Sequence, residues 1–128
     1  MAYRLPGGPR LRTMSVRIYH NPRCSKSREA LALLQAQGLA PEVIDYLQTP
    51  PDLEELQTLL QRLALPAREL LRSGEDEYQA LGLADPGLPE AALLAAVAAH
   101  PRLLQRPIVV NGERAVIARP PELLLGLF

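Results

Sequence analysis

The residue best equipped for chemistry is Cys24, set in the run His20-Asn21-Pro22-Arg23-Cys24-Ser25-Lys26-Ser27-Arg28. The thiolate, not the thiol, is the nucleophile, so the question is whether its surroundings favour the anion. From Val16 to Arg28 the chain carries Arg17, Arg23, Lys26 and Arg28, with His20 as a further cation when protonated, and no acid before Glu29. Ser27, three residues on, is placed to donate its hydroxyl to the sulfur. A lone cysteine is more often a buried, inert core residue. The polar flanks Arg23, Ser25, Lys26 and Ser27 argue against burial here and for a reactive thiol. His20 stays open between a packing histidine and a group that tunes the thiol. Asn21 and Pro22 read as turn residues.

A strand and a helix must position that thiol. Val16-Arg17-Ile18-Tyr19 alternates on a β-branched and aromatic background, which predicts a strand. A helical pattern starts near Ser25 and runs through Ala30, Leu31, Leu33, Leu34 and Ala36 to a stop at Gly38. Cys24 then lies where a loop enters a helix N-terminus, whose unpaired N–H groups and partial positive charge lower a thiol's pKa. Glu42 to Leu47 predicts a second strand, completing a parallel βαβ unit.

Thr49-Pro50-Pro51-Asp52 predicts a helix start with Thr49 as N-cap, and Leu53, Leu56, Leu59, Leu60 and Leu63 form one apolar face. Shorter helical pieces follow from Ala67 to Leu83, around Glu75, Asp76 and Glu77, which read as a solvated acidic face. Pro89 to His100 predicts another helix with Leu93, Leu94 and Val97 inward. Ile108-Val109-Val110 and Ala115-Val116-Ile117 flank Asn111-Gly112, a hairpin signal, and Pro120 opens a terminal helix. The order predicts an α/β fold: a thioredoxin-like four-stranded mixed sheet, βαβ plus ββα, with a helical insert over about 49–100.

Length and composition bound the rest. The 128 residues suffice for one domain with its own core, and 48% apolar with 22% charged residues is ordinary for a globular chain. A single cysteine allows neither an internal disulfide nor a cysteine-rich zinc site; no metal and no tightly bound cofactor is expected. Zero formal net charge gives no reason to expect nucleic acid or a membrane surface as partner. No stretch is apolar enough to span a membrane. Residues 1–13 lack a signal peptide's hydrophobic segment and read as a disordered extension before residues 14–128, with Met14 a candidate start. Few cysteines fit the cytoplasm. No self-complementary apolar face stands out, so a monomer is expected.

The run from Tyr19 to Arg28 resembles the cysteine loop of the glutaredoxin-dependent arsenate reductases. The likeness continues through Tyr46-Leu47-Gln48-Thr49-Pro50-Pro51, Ala67-Arg68-Glu69-Leu70-Leu71-Arg72, Arg106-Pro107-Ile108-Val109-Val110 and Arg119-Pro120, covering Val16 to Phe128. Ser25-Lys26, where the best-known members carry Gly and Thr, resembles the family's chromosomal branch. The resemblance implies the thioredoxin-like fold, Cys24 as catalytic nucleophile, His20 and Ser27 as residues that activate the thiolate, and a cis-proline at Pro107. It also implies Arg72, Arg106 and Arg119 as ligands of the substrate oxyanion. From the residues alone none of the 13 arginines stands out, and Arg68, Arg102 and Arg114 read as surface or salt-bridge residues.

The activity implied is reduction of arsenate to arsenite, with glutathione as co-substrate and glutaredoxin as protein partner. An outside thiol fits a chain that has no second cysteine. Two other readings compete. A glutathione-dependent thiol–disulfide oxidoreductase would need Cys24 but not all three arginines. A non-enzymatic regulator of this fold that binds RNA polymerase usually carries a Cys-X-X-Cys switch, and here Ser27 takes the second cysteine's place.

Overall fold

The computed structural model describes residues 16–128; the expected N-terminal extension and the candidate start at Met14 lie outside them. The chain divides into two compact units, one built from residues 16–45 with Arg106–Phe128, the other from Tyr46–Gln105.

The first unit is a four-stranded sheet in the order β2-β1-β3-β4, with β1 at Val16–His20, β2 at Glu42–Asp45, β3 at Ile108–Asn111 and β4 at Arg114–Ile117. β1 runs parallel to β2 and antiparallel to β3, and β3 runs antiparallel to β4. Together with helix α1 (Ser25–Ala36) this is the thioredoxin-like arrangement predicted above.

Side chains two apart on a strand share a face. Val16, Ile18 and Val109 accordingly meet Ala30 and Leu34 of α1, and Ala118, Leu124 and Leu127 complete that buried cluster. Gly38 ends α1 as predicted: it takes φ +81°, its N–H reaches Gln35 O at 2.9 Å, and Leu39 N–H reaches Leu34 O at 3.2 Å. This pair of bonds satisfies the helix's last carbonyls, and a residue with a Cβ resists that left-handed φ.

Three local expectations shift. Leu47 and Tyr46 fall in a turn, so β2 stops at Asp45. The hairpin turn is Gly112-Glu113, because Asn111 pairs with Arg114 in the ladder and uses its side-chain N–H on Leu127 O at 2.8 Å. Gly112 at φ +60° in the first central position is the glycine-led hairpin turn. The terminal segment, Pro121–Leu127, is a 3-10 helix. Its buried residues Pro121, Leu124 and Leu127 recur every three positions, the period of that tighter helix.

The second unit holds α2 (Leu53–Leu63), a 3-10 turn at Ala67–Leu70, α3 (Asp76–Ala80), α4 (Glu90–Ala99) and a second 3-10 turn at Pro101–Leu103. Asp52, not Thr49, caps α2, accepting from Glu55 N–H at 2.8 Å. A residue before proline is pushed out of the helical region, which disfavours a helical Thr49 or Pro50 and moves the helix start past Pro51. Leu56, Leu59, Leu60 and Leu63 are buried as predicted, whereas Leu53 is exposed. Arg68 is tied inside this unit, donating to Leu83 O at 2.7 Å, Asp85 O at 2.8 Å and Tyr78 OH at 3.3 Å.

Candidate active site

Cys24 is the N-cap residue of α1, with extended backbone (φ −94°, ψ 122°) and partial exposure. The loop before it is closed by its own hydrogen bonds. Asn21 does most of this: its O accepts Cys24 N–H at 3.0 Å, its Oδ1 accepts Arg23 N–H at 3.0 Å, and its N–H donates to Ser27 Oγ at 3.0 Å. Arg28 reaches back from the helix to Pro22 O at 2.9 Å. The thiol is thus held at the helix N-terminus by backbone geometry rather than by packing.

Partial burial alone would push the Cys24 thiol up. The Ser27 N–H, the adjoining Arg106 guanidinium and the Lys26 N–H outweigh it, and the thiol stands below its ordinary value. Sulfur makes no full capping hydrogen bond. The helix N–H dipoles and one guanidinium supply the stabilisation.

Ser27 acts differently from expectation. Its side chain is fully buried, and its Oγ partners are Asn21 N–H and His20 Nδ1, the latter at 2.6 Å. The hydroxyl knits the loop to β1, and Ser27 addresses the sulfur through its backbone N–H. His20 is buried, and burial lowers its pKa; Asp45 raises it, Arg28 lowers it, and the balance is a lowered value. A neutral imidazole at neutral pH adds no positive charge beside the thiol.

Sheet register brings Arg106 and Arg119 together. Ile108 pairs with Ile117, so the residues just before β3 and just after β4 share one end of the hairpin. There Ala118 N–H donates to Pro107 O at 2.9 Å and Arg119 Nη1 to Arg106 O at 3.2 Å. Tyr19 pairs with Ile108, which sets that same end beside the exit of β1 toward Cys24. The Arg106–Pro107 bond is cis, as the resemblance implies, and so is Arg119–Pro120. Arg106 Nε is buried with no hydrogen-bond partner. Cys24, His20, Ser27, Arg106 and Arg119 therefore lie in one unit.

Arg72 belongs to the other unit, where its Nη1 meets Glu75 Oε2 at 2.6 Å. Glu75 also takes Arg102 Nη2 at 3.3 Å and is only 15% exposed at its side chain. The acidic run is therefore not simply a solvated face: the turn that precedes α3 folds Glu75 back onto two arginines. Arg102 is a salt-bridge residue as read above, and Arg114 bonds Gly126 O at 2.9 Å.

A model of the ArsC family matches residues 19–126. The chain belongs to the ArsC family. It is 52% identical to the arsenate reductase of Neisseria meningitidis (serogroup A) over 84% of this chain and 92% of that protein. It is 54% identical to the uncharacterized protein YfgD of Escherichia coli (strain K12) over 90% of this chain and 98% of that one. Among solved structures, the arsenate reductase from Vibrio cholerae matches with a TM-score of 0.88 at 53% identity, covering 90% of this chain and 98% of the other.

Two contributors to this ArsC-family site escaped the reading of residues. Asp45 ends β2 opposite His20 in the parallel ladder, a neighbour visible only once the register is known. Asn21 reads as a turn residue by composition, yet three of its groups fasten the loop. Among the described residues no group of three or more His, Cys, Asp or Glu is placed to hold a metal, and no helix is long and apolar enough to cross a membrane. A lowered thiol facing unpaired guanidinium N–H groups is suited to nucleophilic attack on a tetrahedral oxyanion: the arginines neutralise the anion, and repulsion of the thiolate falls.

Proposed function

We propose that this protein is an arsenate reductase in which Cys24 is the nucleophile and Arg106, Arg119 and Arg72 bind the oxyanion. The observation that carries the reading is the Cys24 thiol, held low at a helix N-terminus beside Arg106, in a family whose relatives include proteins named arsenate reductases. Arsenate oxygens match the paired N–H groups of a guanidinium.

The Cys24 thiolate attacks arsenic(V), an As–S bond forms, and one arsenate oxygen leaves as water after protonation. Glutathione thiolate then supplies the second sulfur. Arsenic takes up two electrons and departs as arsenite, while Cys24 and glutathione are left as a mixed disulfide. Glutaredoxin exchanges its thiol into that disulfide and restores Cys24. Glutathione is the electron donor, and a reducing cytoplasm is the compartment that supplies it.

The test is purified full-length protein with glutathione, glutaredoxin, glutathione reductase and NADPH, following NADPH loss on adding arsenate. An arsenate-dependent rate that disappears in Cys24→Ser is expected. No arsenate-dependent rate in the native chain would refute the reading.

A further inference from the structure

Arg72 is an arginine whose backbone is fixed before its side chain does anything. Its N–H donates to Leu103 O at 2.7 Å, and the preceding Leu71 bridges Leu104. Arg102 sits next to Leu103, so the same pairing that pins Arg72 delivers a second guanidinium. On the other side, Arg72-Ser73-Gly74-Glu75 closes as a turn, Glu75 N–H reaching Arg72 O at 3.3 Å. Glu75 then divides its carboxylate: Oε2 takes Arg72 Nη1 at 2.6 Å, and Oε1 takes Arg102 Nη2 at 3.3 Å. The Arg72 and Glu75 side chains are 25% and 15% exposed, Arg102 65%. The inner pair is partly desolvated and ordered, and Arg102 closes it from the rim.

Only Nη1 of the Arg72 guanidinium is engaged. The Nε–Nη2 edge, the pair of parallel donors that grips a carboxylate or oxyanion bidentately, has no partner among the described residues. A free arginine would lose several rotatable bonds' worth of freedom on binding an anion; one already held by Glu75 has lost it beforehand. A carboxylate beside it would by itself cancel its charge. Arg102 offsets that, leaving the three groups with a net charge of one positive.

We propose that Glu75 is a positioning residue that presents the Nε–Nη2 edge of Arg72 to the substrate oxyanion, with Arg102 as the counter-charge that keeps this edge electropositive. The proposal rests on the reading of Arg72 as an oxyanion ligand.

Steady-state kinetics on the full chain test it, with KM for arsenate and Ki for phosphate as a non-reducible competitor. Glu75→Ala is expected to raise both about fivefold while kcat changes less than about twofold. Glu75→Gln, whose amide oxygen still accepts from Nη1, is expected to recover part of the loss. Arg102→Ala is expected to raise KM about twofold, since Glu75 then neutralises Arg72 more fully. In an Arg72→Ala background, Glu75→Ala is expected to add nothing. Calorimetric titration of arsenate into the Cys24→Ser chain is expected to give the same ordering without turnover.

A KM in Glu75→Ala equal to or below the native value overturns the proposal, the lower value meaning that Glu75 masks Arg72 rather than presents it. So does an undiminished Glu75→Ala effect in the Arg72→Ala background. Should Glu75→Ala fail to fold, native KM values in both Glu75→Gln and Arg102→Ala overturn it instead. If Arg72→Ala itself leaves KM and Ki unchanged, the oxyanion assignment of Arg72 has failed, and the positioning role with it; if Arg72→Ala raises them and the Glu75 variants do not, only the positioning role has failed.

Discussion

The two units of this chain use arginine in opposite ways. Around Cys24, Arg106 and Arg119 have no carboxylate partner among the described residues, and Arg106 Nε is buried without any acceptor. Around Arg72 the cation is matched at once, by Glu75 at 2.6 Å, and Glu75 shares its carboxylate with a second guanidinium, Arg102, at 3.3 Å. An unpaired guanidinium beside a thiol exerts its field on the thiol and lowers its pKa. A paired one surrenders part of its field and gains a fixed orientation. The first arrangement tunes a nucleophile; the second holds a shape.

Substitutions can separate these two roles. The largest effect belongs to Cys24→Ser, which removes the nucleophile and is expected to abolish arsenate-dependent NADPH oxidation. Arg106→Ala comes next, with kcat/KM for arsenate down about 10²-fold, in the range of losing one donor to developing charge. The same variant is expected to move the pH midpoint of Cys24 alkylation by iodoacetamide upward, because the guanidinium that favours the thiolate is gone. Arg72→Ala is expected to weaken arsenate binding and leave that midpoint where it was. Equal shifts of the midpoint in Arg106→Ala and Arg72→Ala would erase the distinction between the units.

A smaller effect concerns stability. Ser27→Ala leaves the part-buried Asn21 N–H and the buried His20 Nδ1 without their partner, which costs about 1–3 kcal/mol by urea denaturation. Arg68→Ala, in the second unit, uncovers the carbonyls of Leu83 and Asp85, which water can reach, and is expected to cost less, about 1 kcal/mol. A Ser27→Ala cost below that of Arg68→Ala would mean that the loop is held by something other than this hydroxyl.

How much of this could be read without coordinates depended on the range of the interaction. β1, α1 and the β3–β4 hairpin follow from periods of 2 and 3.6 with Pro22, Gly38 and Gly112 marking the breaks between or after them, all signals within a dozen residues. So does the position of Cys24 at the helix start. Local competition was harder to read: Thr49 and Asp52 are both good caps, and only the restriction that Pro51 places on Pro50 decides for Asp52. The Pro121–Leu127 segment reads as helical because four leucines crowd it, yet its burial every third residue selects the tighter 3-10 form. Non-local features were invisible. Arg106 and Arg119 meet because Ile108 pairs with Ile117, and Glu75 meets Arg102 because Arg72 N–H bonds Leu103 O. Neither pairing leaves a mark on composition.

The smallest expected effect bears on how the first unit keeps its field directed at sulfur. His20 is neutral in the folded protein above its lowered pKa, while in the unfolded chain it titrates near its ordinary value of 6.5. Between those two pH values the unfolded state binds more protons than the folded one, so stability rises with pH across that window. On acidification it is lost progressively from about pH 6.5 down to the folded pKa, and below that the loss is constant. The slope from one such group is at most about 1.4 kcal/mol per pH unit. Carboxylates also titrate on the acid side, so the informative quantity is a difference: stability by urea denaturation from pH 7.5 to 5, native chain against His20→Asn, which keeps a polar group near the Nδ1 position. The native chain is expected to lose more. An equal loss in both would mean that folding leaves the His20 pKa unshifted, and a smaller loss in the native chain that folding raises it. In that second case the imidazolium would stand beside Ser27 as one more cation, and the thiol's low pKa would owe part of its origin to it as well as to Arg106 and the helix N–H groups.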